Sequence, residues 1–219
     1  MTLELVIFDC DGVLVDSEPI ANRILTEMLN DLGLDIRFEE TLRTFVGRSM
    51  SACLQIIEER LERPVPDGFV QTYNTRSFAA FERDLRPVPG VDEVLKRIRI
   101  PVCVASSASH EKMRTTLGVT RLLPYFEGRM FSATEVGRGK PDPALFLHAA
   151  ERMGVAPAVT AVVEDTPVGV QAGRAAGMRV FGYARTTGAP SLAAAGACVF
   201  DDMTVLPALL ESASRDGAP

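Results

Sequence analysis

The chain is short of positive charge. Across 219 residues, 23 Lys and Arg stand against 29 Asp and Glu, a net charge of −6. That deficit, with no basic run anywhere, argues against a nucleic-acid-binding face. No apolar stretch reaches the ~18 residues that a membrane helix requires. The chain opens on a strand-like segment rather than a charged and apolar leader, so secretion is not expected. Cys10, Cys53, Cys103 and Cys198 form no Cys-x-x-Cys pair, which leaves zinc and redox motifs unsupported. Cys103 lies in an apolar run and reads as a small core residue, and the compartment expected is the reducing cytoplasm. The rest of the composition, 47% hydrophobic and 24% charged, is that of a globular protein with one substantial core, or a core plus a smaller domain.

Against this background the segment Leu5-Val6-Ile7-Phe8-Asp9-Cys10-Asp11-Gly12 stands out. An apolar, β-branched run ends in two aspartates two residues apart, and alternation along a strand would put both carboxylates on one side. Like charges held that close raise each other's pKa. A cation relieves the repulsion, and oxygen ligands of this kind suit Mg²⁺. One aspartate can then serve as nucleophile and the other as proton shuttle. A turn in which the carboxylates cap backbone amides is the plainer reading. A calcium loop is excluded, because counting from Asp9 the sixth and twelfth positions hold Leu14 and Ile20 instead of Gly and Glu.

Strand-like runs recur at 3–8, 101–105, 159–163, 179–183 and 197–200, each followed by a helical pattern. Such alternation predicts βαβ units and an α/β fold with a doubly wound parallel sheet, its chemistry beyond the carboxyl ends of the strands. Between about Ser17 and Arg86 only amphipathic helical patterns occur, such as 21–32 and 51–61. This region reads as an all-helical insertion, giving domains of 1–16 plus 87–219 and of 17–86. Pro87-Val88-Pro89-Gly90 marks the return to the sheet, and the segments near 15–18 and 85–89 are the expected linkers of a mobile cap. The small, polar tail from Ser212 to Pro219 is expected to fray.

Three further polar motifs fall at strand ends. Ser106-Ser107-Ala108-Ser109 offers hydroxyls and backbone amides to a phosphate oxygen, or a plain helix N-cap. In Gly139-Lys140-Pro141-Asp142-Pro143, Asp142 reads as an N-cap ahead of proline, which places Lys140 just before a helix. An isolated lysine is otherwise a solvated charge, and the Walker spacing is absent. Glu164-Asp165 ends a buried strand, where carboxylates need partners such as a metal ion or Lys140. The alternative is an N-cap at Asp165 for a helix running to Ala176. Gly169, Gly173 and Gly177 would let that helix lie close to the sheet.

In order along the chain, Asp-x-Asp-Gly, Ser, Lys-Pro and Glu-Asp resemble the haloacid dehalogenase superfamily. The match is to its magnesium-dependent phosphatase and phosphomutase branch, and the opening from Asp9 to Pro19 is similar to that of β-phosphoglucomutase-like phosphatases. The resemblance implies a Rossmann-like core with a helical cap and a Mg²⁺ cofactor. It implies that Asp9 attacks phosphorus to form an aspartyl-phosphate, and that Asp11 protonates the leaving oxygen and then activates water. It further implies that Ser106 and Lys140 hold phosphoryl oxygens, with Lys140 also offsetting negative charge around Asp9. Ser107 is a further substrate-binding candidate, and Arg48 reads either as a contact to an anionic substrate or as an exposed helix-start arginine. Mg²⁺ would be held by Asp9, the Asp11 carbonyl and Asp165, with Glu164 a further ligand or outer partner. Asp11 argues against a dehalogenase or a phosphonate hydrolase.

A sugar phosphomutase of this branch carries a cap histidine where this chain has Ala21, and a basic residue where it has Met50, three after Gly47. A phosphatase for a small sugar phosphate or sugar-acid phosphate, such as 6-phosphogluconate, is therefore the expected function. A phosphomutase and a non-catalytic phosphometabolite-binding protein are the alternatives. The expected partner is a small-molecule phosphate ester, with neither nucleic acid nor membrane, and the chain is expected as a monomer or weak homodimer. His110 and His148 receive no role from the sequence.

Overall fold

The computed structural model describes residues 2–46 and 50–215, apart from the side chain of Arg215. Two compact units emerge, one of Met1–Asp16 with Arg86–Pro219 and one of Ser17–Leu85. The first holds a six-stranded parallel sheet of β1 (Leu5–Phe8), β2 (Val102–Ser106), β3 (Met130–Ser132), β4 (Thr160–Glu164), β5 (Arg179–Tyr183) and β6 (Cys198–Phe200). Its strand order is β3-β2-β1-β4-β5-β6. The order reverses at β1, so the chain winds outward in both directions from the strand that carries Asp9. Every residue of β1 is buried. A parallel sheet with both faces covered has no solvent side, which explains an unbroken Leu-Val-Ile-Phe run in place of alternation.

The two faces of β1 bury different sets. Leu5 and Ile7 join Cys103, Ala105, Val162 and Val180 in one cluster with Leu145, Phe146, Val170 and Leu192. On β1 the alternate position Phe8 meets Phe126 edge-on, with ring centroids 6.3 Å apart. The covering helices are α5 (Val91–Arg97), α6 (His110–Val119), α7 (Leu123–Phe126), α8 (Ala133–Val136), α9 (Ala144–Met153), α10 (Pro167–Ala175), α11 (Ala189–Ala194) and α12 (Leu206–Arg215). The second unit consists of α1 (Glu18–Asp31), α2 (Phe38–Phe45), α3 (Met50–Leu61) and α4 (Phe69–Asp84), and contains no strand among the described residues. Its ion pairs Arg60–Glu40 and Arg76–Asp31 are exposed and add little stability. Among the described residues no helix is long and apolar enough to cross a membrane.

Several local expectations change. The edge strand β3 escapes sequence reading because three residues carry no periodicity. The tail expected to fray from Ser212 is helical through Arg215. Leu206, Leu210 and Ala213 are buried at i, i+4 and i+7 along one stripe, and Ser214 Oγ accepts from the Leu3 N–H at 3.2 Å. α10 is capped by Thr166, whose hydroxyl accepts from the Gly169 N–H at 3.1 Å, not by Asp165. α9 begins at Ala144, as expected, but with Pro143 rather than Asp142 at its N-cap, while the Asp142 carboxylate accepts from the Ala144 N–H. Gly173 does allow close packing, since a Cβ there would stand 2.7 Å from Val180 Cγ2. Gly177 has open space instead and serves at φ +75° to end α10.

Candidate active site

Four loops at the carboxyl ends of neighbouring strands build the site, as expected where a doubly wound sheet reverses order. Phe8 is in register with Val104 on one side and Val163 on the other. Asp9 therefore follows β1 immediately, beside Ser106 at the end of β2 and Glu164 at the end of β4. The Asp9 N–H extends the ladder to Val163 O at 2.9 Å, which fixes its backbone.

The centre is Lys140. Its side chain is only 6% exposed, so it is not a solvated charge, and its ammonium donates to Asp9 Oδ1 and Glu164 Oε1, each at 2.5 Å. It also stands 5.0 Å from the centre of the Phe146 ring. Burial pushes the Asp9 carboxyl up to about 7 despite the pull of Lys140, with Glu164 and Asp11 adding to the rise. Burial works against the charge on Lys140, yet the carboxylates of Asp9 and Glu164 outweigh it and hold the ammonium above its ordinary value. The physical cause is shared: two buried carboxylates face one buried cation, so a net negative charge is left in low dielectric.

Glu164 is committed on both oxygens. Its Oε1 meets Lys140, while Oε2 accepts from the Asp165 N–H, the Thr166 N–H and the Thr166 hydroxyl, all at 2.9 Å. That geometry aims Lys140 and closes the start of α10; the sequence left Glu164 open between a further metal ligand and an outer partner. Gly169 makes it possible, because a Cβ there would fall 1.9 Å from Glu164 Oε1. Asp165 is buried with its carboxylate pressed against Gly12, where a Cβ would meet Oδ2 at 2.1 Å. Gly12 has φ +81°, so glycine is required both by the backbone and by this approach.

Ser106 is buried, and its hydroxyl accepts from the Ala108 N–H at 3.1 Å. The N-cap of α6 is Ser109, which accepts from the Lys112 N–H, so Ser106 is not needed as a helix cap. Ser107 is exposed. The Ser132 hydroxyl donates to Ala108 O at 2.7 Å and ties this turn to β3. Asp11 pairs with Lys112, Nζ to Oδ2 2.8 Å, a partner the sequence reading did not single out. Lys112 lies one helical turn into α6, and nothing in its spacing marks it out from other helix-surface lysines. His110 and His148 both face Glu135, at 3.1 and 3.9 Å. Arg48 and Gly47 lie outside the described residues.

A magnesium ion fits this donor set. Asp9 and Asp165 are buried carboxylates at the ends of adjoining strands, and hard oxygen donors of this kind suit that ion. Among the described residues no group of three His, Cys, Asp or Glu side chains stands gathered for a metal; part of the set expected here is a main-chain carbonyl, that of Asp11.

Comparison with known proteins agrees with this architecture. The 6-phosphogluconate phosphatase of Escherichia coli (strain K12) is 35% identical over 182 residues, 82% of this chain and 81% of its own. The phosphorylated carbohydrates phosphatase of Thermotoga maritima is 32% identical over 185 residues, 82% of this chain and 85% of its own. The crystal structure of a conserved haloacid dehalogenase-like protein from Agrobacterium tumefaciens superposes with a TM-score of 0.86 at 35% identity, covering 97% of this chain and 99% of that one. The sequence profile of the haloacid dehalogenase-like hydrolases matches residues 3–177. With β1, the Lys140 bridge and the Glu164-Asp165 strand end all inside that span, the chain belongs to the haloacid dehalogenase-like hydrolase family.

Proposed function

We propose that the protein is a Mg²⁺-dependent phosphatase that hydrolyses a small sugar phosphate or sugar-acid phosphate, such as 6-phosphogluconate, through an aspartyl-phosphate. The observation that carries this reading is the buried ammonium of Lys140 held between Asp9 and Glu164 at the end of β1. The phosphatase names of the two relatives support the ester class.

In the first step a carboxylate oxygen of Asp9 attacks phosphorus. The bond to the ester oxygen breaks, and Asp11 delivers its proton to the departing alkoxide. In the second step Asp11, now ionised, takes a proton from water as that water attacks the phosphoryl group, releasing phosphate and restoring the Asp9 carboxylate. Proton transfer of this kind contributes roughly 10²–10⁴-fold. Lys140 and the Ser106 hydroxyl hold phosphoryl oxygens, Ser107 lies next to them, and Glu164 keeps Lys140 aimed. Asp9, the Asp11 carbonyl and Asp165 would hold Mg²⁺, which supplies positive charge that keeps Asp9 ionised and offsets the phosphoryl dianion. We assign selection among esters to the helical unit, as its cap.

The test is phosphate release from a panel of sugar phosphates, sugar-acid phosphates and nucleotides, with Mg²⁺ and with chelator, beside Asp9→Asn. Release from sugar esters that disappears with chelator and with Asp9→Asn is the expected result. An Asp9→Asn protein as active as the wild type would overturn the mechanism.

A further inference from the structure

We propose that Lys112 is a positioning residue for Asp11, holding the proton-transfer carboxylate in place for the leaving oxygen; this rests on the phosphatase reading above. Three of the site's acids, Asp9, Asp11 and Glu164, are divided between two lysines. Lys140 pairs with Asp9 and Glu164, and Asp11 has its own ammonium, Lys112 Nζ, 2.8 Å from Oδ2. Both side chains are partly withdrawn from water, 30% exposed for Lys112 and 20% for Asp11. Charge-assisted hydrogen bonds in such surroundings are directional.

The lysine is itself braced. Its N–H donates to Ser109 Oγ at 3.3 Å, and its C=O accepts from the Thr116 hydroxyl at 2.9 Å. That hydroxyl lies 3.9 Å from Cys10 Sγ. α6 thus touches the nucleophile loop at two successive residues, Cys10 and Asp11. At its other end it starts directly from the Ser106–Ser109 turn. One rigid helix therefore sets the place of the acid relative to the turn that binds the phosphoryl group. Positional error of about 1 Å in such a group can cost on the order of 10²-fold in rate.

The measurement is kcat/KM on two leaving groups, for wild type, Lys112→Met and Lys112→Arg. One ester is the best alkyl substrate from the panel above, whose alkoxide must be protonated as it leaves. The other is p-nitrophenyl phosphate, whose phenolate leaves without an acid. Because kcat/KM covers only the steps through departure of the leaving group, it isolates the acid's role. Lys112→Met is expected to lose about tenfold or more on the alkyl ester and no more than about threefold on the aryl ester. Lys112→Arg, which restores a donor, is expected to recover most of the alkyl-ester loss. Equal losses on both esters, or no loss on either, would overturn the positioning role. A wild-type protein that cleaves neither ester would instead overturn the phosphatase reading, so the two failures are distinct.

Discussion

Replacing Lys140 with methionine keeps the length of the side chain but removes the ammonium that stands 2.5 Å from both Asp9 and Glu164. Removing one partner of a buried ion pair costs about 3–5 kcal/mol, because the remaining charge is uncompensated. Here the cost depends on pH. Burial has already pushed the Asp9 carboxyl up to about 7 with Lys140 in place, and without that cation its pKa rises further. A carboxyl raised above its unfolded value of about 3.8 contributes stability below that value and loses it as pH rises through the folded value. In chelator the wild type stops losing stability through Asp9 once pH passes about 7, whereas the variant goes on losing it toward its higher value, so the cost should be larger at pH 8.5. At pH 5.5 Asp9 is mostly protonated with or without Lys140, so the penalty should be smaller there than at pH 8.5. For a chain of this size 1 kcal/mol corresponds to roughly 2–4 °C in midpoint. Denaturant unfolding of wild type and Lys140→Met at the two pH values gives the numbers directly. A destabilisation that is the same at pH 5.5 and pH 8.5 would refute the charge-balance account of this site.

The wild type carries a weaker form of the same dependence. In chelator its stability should decline by a few kcal/mol as pH rises from about 4 to about 7, through Asp9, and urea midpoints across that range would show it. Two glycine-to-alanine changes should act in opposite directions. Gly169→Ala places a Cβ 1.9 Å from Glu164 Oε1 and should cost about 1–3 kcal/mol, with loss of activity. Gly118→Ala in α6 meets nothing within 4 Å and should stabilise by about 0.5–1 kcal/mol; thermal unfolding of both variants checks the pair. Thiol titration of the native protein at pH 8 should find one fast cysteine. Cys198 is exposed and Cys10, Cys53 and Cys103 are buried, and burial pushes the Cys103 thiol up to about 12. Rapid labelling of more than one thiol by mass spectrometry would contradict this.

Much of the fold was legible because its signals are local. A buried parallel strand must be apolar on both faces, so Leu5–Phe8 announces itself. The acids and hydroxyls that break such runs mark where Asp9, Ser106 and Glu164 stand. Short elements carry too few residues for a period, which hid β3. Caps depend on backbone angles rather than composition, which moved the N-cap of α10 from Asp165 to Thr166 and that of α9 from Asp142 to Pro143. Apolar residues at 206, 210 and 213 belong to a helix only because a core exists for them to meet, and that turned an expected loose tail into α12.

The sequence by itself determined the α/β class, the family, and the residue types gathered at the strand ends, because each is written in the order of the chain and in two-residue or helical spacing. The sequence offered Lys140 as one possible partner for the strand-end acids; tertiary structure decided that it bridges Asp9 and Glu164, that Lys112 pairs with Asp11, and that the spaces at Gly12 and Gly169 admit Asp165 and Glu164. Those pairs join residues 24, 101 and 131 positions apart. Which of several surface-type lysines becomes a buried counter-ion is settled by where parallel strands end and how closely helices pack on them, and local sequence contains no record of that distance.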